Sequence, residues 1–292
     1  MTRQAFARTR LGAAGAAVVV FLIALTGCGL PATSAHPLRP ASDAAIAEQS
    51  GGSPGALAAG SPGAMAPGTL VRNAVNGRTE VALAEMNRTV LLIGDSQSEP
   101  ADGWTRQGLS SAGYTVYFCG RGGTGFVTAN GATGNYIDSL LRGDWLLPAG
   151  TPALIVIQGG GNDAAIGADD ERIAANAGQL IGELQARYPG TRIAMIGTLA
   201  RGESNGGGRR TEVDALLGSV ATAQGLPFIS AGDWLTKYGL AQDLADAVHM
   251  NSNGRKALGM ILDRRLRELG LELQPTADQP PLLAAGALPT GD

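Results

Sequence analysis

The chain holds two histidines, and only His249 lies where the sequence has the pattern of folded structure; His36 stands in a run of Ala, Gly, Pro and Ser. Any proton acceptor of the imidazole kind working near neutral pH is therefore His249. It closes the stretch Asp246-Ala247-Val248-His249. A carboxylate three residues ahead of an imidazole, across a turn, can accept from one ring nitrogen, which fixes the tautomer and leaves the other nitrogen for a serine hydroxyl. Two further clusters could supply partners. Gly94-Asp95-Ser96-Gln97-Ser98 follows an apolar run. A serine at such a strand end has its hydroxyl exposed and its own N–H aimed outward, although the same residue could serve only as a helix N-cap. Gly159-Gly160-Gly161-Asn162-Asp163 follows a second apolar run. Its glycines permit close backbone approach and Asn162 can point its amide N–H₂ into the same space; the plain alternative is an Asx-capped turn. Each cluster alone is ambiguous. Together, beside the strand ends of one sheet, they point to nucleophilic attack on a carbonyl.

The elements that must position these residues lie between about Val71 and Leu273, where short apolar runs alternate with helical stretches, the mark of βαβ units and a parallel sheet. Strands are predicted at Thr89–Ile93, Tyr114–Phe118, Ala153–Ile157, Arg192–Ile196 and Leu226–Ser230. Helices are predicted at Asp170–Tyr188, Arg210–Gln224 and Asn253–Leu269, where apolar residues recur near helical spacing. Val71–Met86 is left as an edge strand or helix without a place. Ligands of an open parallel sheet gather beyond the carboxyl ends of its strands, which is where Ser96 and Asn162 fall.

These residues resemble the SGNH, or GDSL, hydrolase superfamily. Its first block corresponds to Gly94-Asp95-Ser96, its GxND block to Gly160-Gly161-Asn162-Asp163 and its last block to Asp246-x-x-His249, in that order over about Val90 to Leu269. The resemblance implies an α/β fold, a three-layer α/β/α sandwich around a five-stranded parallel sheet of flavodoxin-like type. It implies Ser96 as nucleophile, His249 as base and Asp246 as its orienter. The oxyanion would be held by the N–H groups of Ser96 and a glycine of Gly120–Gly125, with the Asn162 amide; Gly123 is the choice and Gly122 the alternate. Gln97 stands in place of the Leu of the GDSL name, a departure that leaves the mechanism untouched and says little about substrate. The implied activity is hydrolysis of acyl esters by a monomer that uses no metal or organic cofactor. An O-acyltransferase would share every catalytic residue, and an inactive glycan-binding module would keep the fold.

Other functions fit less well. Gly120-x-Gly122-x-x-Gly125 matches a dinucleotide fingerprint in form, but the stretch after it is a poor helix start and Asp138 does not end a strand. Ser96 lies in GxSxS, not in the GxSxG of an α/β-hydrolase. With a net charge of −3 and scattered basic residues, nucleic acid is not an expected partner. Two histidines and two unclustered cysteines leave no zinc site. Trp104 and Trp234 flank the nucleophile and base in sequence and could stack on a sugar or line an acyl pocket, or simply pack. The Gly-rich loop Arg201–Arg210 could meet an anionic glycan or stay solvated.

The N-terminus addresses compartment. Arg3, Arg8 and Arg10 precede the apolar run Leu11–Thr26, and Leu25-Thr26-Gly27-Cys28 resembles a bacterial lipobox. The expected organisation is a lipoprotein signal over residues 1–27, a tether over 28–70, the hydrolase domain over 71–273 and a disordered tail over 274–292. Lipidation of Cys28 would anchor the protein on the outer face of the cytoplasmic membrane, and a tether of ~40 residues gives it roughly 35 Å of reach. Substrates there are acyl esters of envelope glycans or lipids.

Overall fold

The computed structural model describes residues 66–74 and 76–274. The expected signal peptide, Cys28, the expected tether as far as residue 65 and residues 275–292 of the expected tail lie outside them. In chain order the strands are β1 (Leu70–Arg72), β2 (Thr79–Val81), β3 (Thr89–Gly94), β4 (Thr115–Gly120), β5 (Leu147–Pro148), β6 (Leu154–Gln158), β7 (Ile193–Ile196) and β8 (Phe228–Ile229). The α-helices are α1 (Trp104–Ser111), α2 (Tyr136–Arg142), α3 (Gly161–Ala165), α4 (Asp170–Arg187), α5 (Gly208–Ala223), α6 (Trp234–Lys237) and α7 (Ser252–Glu268).

Strands β3, β6 and β7 are buried at every position, so both faces of the sheet need cover. Side-chain alternation divides that cover. Val90, Leu92, Leu154, Val156, Ala194 and Ile196 pack with residues of α1, α6 and α7. Leu91, Ile93, Ile155, Ile157, Ile193 and Met195 pack with residues of α2, α4 and α5. The result is an α/β/α sandwich around a five-stranded sheet ordered β4-β3-β6-β7-β8, with every neighbour parallel. This is the flavodoxin-like order. Its direction of winding reverses between β3 and β6, and a crevice opens at their carboxyl ends. Among the described residues no helix is long and apolar enough to cross a membrane.

The largest strand-boundary shifts fall in two places, the others being a single residue. The second core strand starts and ends later than predicted, because Tyr114 is buried below it with its hydroxyl donating to the Leu271 carbonyl at 2.7 Å. The fifth shrinks to two residues, since as an edge strand it pairs only Phe228 and Ile229 with Met195 and Ile196. Residues 71–86, unplaced from sequence, supply most of a separate small sheet: β1 and β2 pair antiparallel and β2 pairs parallel with β5.

A buried ion pair joins that small sheet to the main body. Arg187 at the end of α4 meets Glu80 of β2 at 2.6 Å, with both side chains less than a tenth exposed, and Asn73 Nδ2 donates to the same carboxylate oxygen at 2.6 Å. Arg78 donates to the carbonyls of Leu140 and Leu141, groups that the end of α2 leaves without helical partners. Close to the same region, Cys119 of β4 is a free, buried thiol 3.9 Å from the Leu146 carbonyl, and burial pushes its pKa up to about 12, which removes thiolate chemistry.

Replacing Arg187 by Met should leave the Glu80 carboxylate buried without a cation and lower stability by about 3 to 5 kcal/mol in urea unfolding. The double change Arg187→Met, Glu80→Leu should recover most of that loss. A single-variant change below about 1 kcal/mol would mean that the pair behaves like an exposed one.

Candidate active site

The turn after β3 is built on a buried carboxylate. Asp95 Oδ1 accepts the Gln97 N–H at 2.9 Å, while the Asp95 carbonyl accepts from Ser98 and Glu99 N–H at 3.0 and 2.9 Å. The carboxamide of Gln158, the last residue of β6, satisfies its neighbours when its nitrogen donates to Asp95 Oδ1 at 3.2 Å and Ser98 Oγ at 2.6 Å and its oxygen accepts from Gly159 N–H. These bonds tie the carboxyl ends of β3 and β6 together. Ser96 is left half-buried on top of them.

His249 reaches the same point from 153 residues away, with Nε2 2.8 Å from Ser96 Oγ. Its Nδ1 is 2.8 Å from Asp246 Oδ2. The other carboxylate oxygen, Asp246 Oδ1, accepts the N–H groups of Val248 and His249 at 2.8 and 2.7 Å. Those two backbone donors, and then the His249 ring, hold the Asp246 carboxyl well below the usual carboxylate range. The His249 and Asp246 side chains are 41 % and 56 % exposed; hydrogen-bond geometry, not burial, keeps them in line. The segment ends at Asn251, whose side chain caps α7 by accepting the Gly254 N–H at 2.9 Å.

The glycine turn after β4 lies against the serine: a Cβ added to Gly122 would come within 3.3 Å of Ser96 Cβ. The Gly122 N–H is engaged by Glu99 Oε2 at 2.9 Å. Gly123, held at φ +77°, has an N–H with no hydrogen-bond partner among the described residues, and the same holds for the Ser96 N–H. The two glycines thus differ in that only the Gly122 N–H is engaged within the described residues. Asn162 Nδ2 donates to the Thr124 carbonyl at 2.9 Å, which spends one of its two N–H groups and sets the amide beside the turn. Gly160 provides the bend that brings Asn162 there: its φ is +97°, and a Cβ would strike Thr198, Val213 and Leu217. Ser96, His249, Asp246, Asn162 and Gly123 are thus brought together at the switch point of the sheet. Among the described residues no cluster of three or more His, Cys, Asp or Glu side chains could hold a metal ion.

Asp163 has a part that spacing did not reveal. Fully buried, it accepts from the N–H groups of Phe126, Val127 and Thr128 at 2.9, 2.8 and 2.9 Å and from Thr128 Oγ1 at 2.8 Å. It therefore shapes the loop that follows the glycine turn. Its sequence signal was the acid that closes the GxND block, which says nothing of the three backbone donors 35 to 37 residues earlier.

For two groups whose contacts the sequence left open, the structure gives the packing. Trp104 and Trp234 are buried, 0 % and 2 % exposed, with ring centroids 5.7 Å apart; they pack in the core. Two arginines of the Gly-rich loop turn inward or pair. Arg209 meets Asp170 and Glu212, and Arg210 donates to the carbonyls of Leu199 and Gly161 at 3.0 and 3.3 Å.

A flavodoxin-like sheet with a serine, an imidazole and a carboxylate hydrogen-bonded in series at its switch point defines an α/β enzyme site. Residues 92–257, more than half of the chain, match the model of the GDSL-like lipase/acylhydrolase family, so the chain belongs to that family and is an ester-hydrolysing enzyme. No curated protein matches it in sequence. Solved structures similar to it include a carbohydrate acetylesterase from Sinorhizobium meliloti, 18 % identical over 62 % of this chain and 99 % of that one, with a TM-score of 0.46. Another is the aryl esterase of M. smegmatis, 17 % identical over 62 % and 99 % of the two chains, also at 0.46.

Asp95 makes the site sensitive to pH. Burial, partly offset by the Gln97 N–H, the Arg210 charge and the Gln158 amide, pushes its carboxyl up to about 6. Between the unfolded value near 3.9 and the folded value, the folded chain binds more protons than the unfolded one, so stability falls as pH rises through that window. Asp95→Asn should therefore gain up to about 3 kcal/mol near neutral pH, a gain that vanishes by about pH 4. Urea unfolding across this range checks it; a difference independent of pH would show that Asp95 is ionised throughout.

Proposed function

We propose that the chain is a serine esterase of the bacterial envelope that removes short acyl groups from polar alcohols, with Ser96, His249 and Asp246 as a catalytic triad. The observation that carries this reading is the unbroken series Asp246–His249–Ser96, with both links at 2.8 Å. Ser96 Oγ attacks the acyl carbonyl while His249 Nε2 takes its proton, and Asp246 at Nδ1 holds the ring and stabilises the imidazolium as charge develops. The tetrahedral oxyanion is received by the Ser96 and Gly123 N–H groups and by the Asn162 amide, each such donor worth about 3 to 4 kcal/mol of barrier. His249 then protonates the leaving alcohol, and water repeats the sequence on the acyl-enzyme.

The cavity at the serine supports a small acyl group. Lined by Ser96, Gln97, Glu99, Pro100, His249, Met250 and Arg255, it holds about 220 Å³, below the roughly 300 to 1,000 Å³ of sites that enclose drug-sized ligands. Glu99 and Arg255 make its rim polar and charged, a surface suited to the hydroxyls of a glycan and poor for a lipid tail. The N-terminal basic residues, the apolar run and Leu25-Thr26-Gly27-Cys28 support export and lipid attachment at Cys28.

Ser96→Ala and His249→Ala should each lower kcat on acetyl esters by about 10⁴-fold or more, and a fluorophosphonate probe should label the parent protein but not Ser96→Ala. Turnover should decline from acetyl to octanoyl esters. Equal labelling of the two proteins would remove Ser96 from the nucleophile role, and a preference for octanoyl would remove the short-acyl assignment.

Cys28→Ser should release the protein from the membrane fraction of expressing cells or leave it unprocessed. Retention of a processed Cys28→Ser form at the parent level would exclude the lipid anchor.

A further inference from the structure

The residue after the nucleophile is Gln97, where the family name has leucine, and its side chain crosses to the loop of the base. Gln97 Nε2 donates to the Val248 carbonyl at 2.9 Å, and Gln97 Oε1 accepts from the Trp104 indole N–H at 3.1 Å. The orientation of the amide is chemically forced. An indole N–H can only donate and a backbone carbonyl can only accept, so the oxygen must face Trp104 and the nitrogen Val248.

The Val248 carbonyl and the His249 N–H belong to one peptide plane. The N–H end is held by Asp246 Oδ1 at 2.7 Å and the carbonyl end by Gln97. Other bonds in this segment close it upon itself: Ala245 N–H to the His249 carbonyl and Asn251 N–H to the Asp243 carbonyl, both at 2.8 Å. They shape the loop without setting its distance from β3. A second outside tie runs from Arg255, which donates to the Met250 carbonyl at 3.0 Å and to Asp102 at 2.7 Å, but that Asp102 side chain is 57 % exposed and open to screening. Gln97 is buried, and its far end rests on Trp104, itself without exposure.

We propose that Gln97 is a positioning residue: by clamping the peptide plane that precedes His249 from the side opposite Asp246, it sets the imidazole within reach of Ser96. The proposal rests on the reading of Ser96 and His249 as nucleophile and base. Leucine at this position fills space but cannot donate, so a chain carrying it must hold its base by other means.

The experiment compares Gln97→Leu and Gln97→Glu with the parent protein, using acetyl ester turnover across pH and amide hydrogen exchange of the 245–250 segment. Gln97→Leu should lower kcat about 10- to 100-fold, the cost of a misplacement of about 1 Å, with KM unchanged within about twofold, at a ratio to the parent that does not vary with pH. Gln97→Glu tests the donor itself. An ionised carboxylate can accept from Trp104 but has no proton for Val248, whereas the neutral acid can serve both. Its kcat relative to the parent should therefore rise as pH is lowered, whereas a carboxylate that acted only by favouring the imidazolium would make that ratio fall. Exchange at 245–250 should accelerate in Gln97→Leu. If Gln97→Leu does not fold, the pH trend of Gln97→Glu decides. Parent-like kcat with parent-like exchange, or a Gln97→Glu ratio flat with pH, would overturn the proposal. A parent protein that turns over no ester and takes no fluorophosphonate would overturn the catalytic reading instead, and exchange alone would then report whether the clamp holds the loop.

Discussion

A carboxylate withdrawn from water needs several donors around it, and a buried acid among backbone amides dictates the path of the chain that supplies them. Asp163 collects three consecutive N–H groups, those of Phe126, Val127 and Thr128. The chain leaving β4 must wrap around that carboxylate, and a Cβ on Gly125 would lie 2.4 Å from it. Because Asp163 follows Asn162 directly, the same short helix that presents the amide also anchors the loop the amide faces. The glycine turn, the Thr124 carbonyl and the Asn162 side chain are therefore one mechanical unit. Asp95 sits close enough to feel the Asp163 charge, and with the Gln158 amide it fixes the serine turn against this unit.

The core strands were legible because burial on both faces demands runs such as TVLLI and ALIVI, which few other structures tolerate. Helices α4, α5 and α7 could be read within one or two residues because their apolar spacing is sustained over many turns. What escaped was short or depended on distant partners. Strands of two and three residues, as in β1, β2 and β5, have no periodicity to read, and their placement rests on an ion pair linking residues 107 positions apart. Helix α1 buries only Trp104, Thr105, Gly108 and Leu109, too sparse a pattern to separate from a loop. Nearness in sequence did not decide the contacts of Trp104: it follows the serine by eight residues, and α1 turns its ring into the core.

The residues proposed to react were legible for a different reason. A lone histidine in the folded region leaves little choice of base, and DxxH is a local motif whose geometry is largely its own. The partners that refine the site are not local. Glu99 engages Gly122 across 23 residues, Asp163 reaches back 35 to 37, and Gln97 meets Val248 across 151. Each is an ordinary polar residue until the topology supplies its partner. Gln97 in particular reads as a neutral departure from a motif, and only the fold shows what its amide holds.

The Asp246–His249 link spans three residues, whereas the His249–Ser96 link spans 153. The proposed base and its orienter can thus meet in a nearly unfolded chain, at small loop-closure cost, while the serine joins them only when the first core strand and the segment before the last helix have docked. With the proposed triad, catalytic competence is a long-range contact. During refolding, regain of esterase activity reports that the two ends of the domain have closed upon each other, an event that helical content alone would not register.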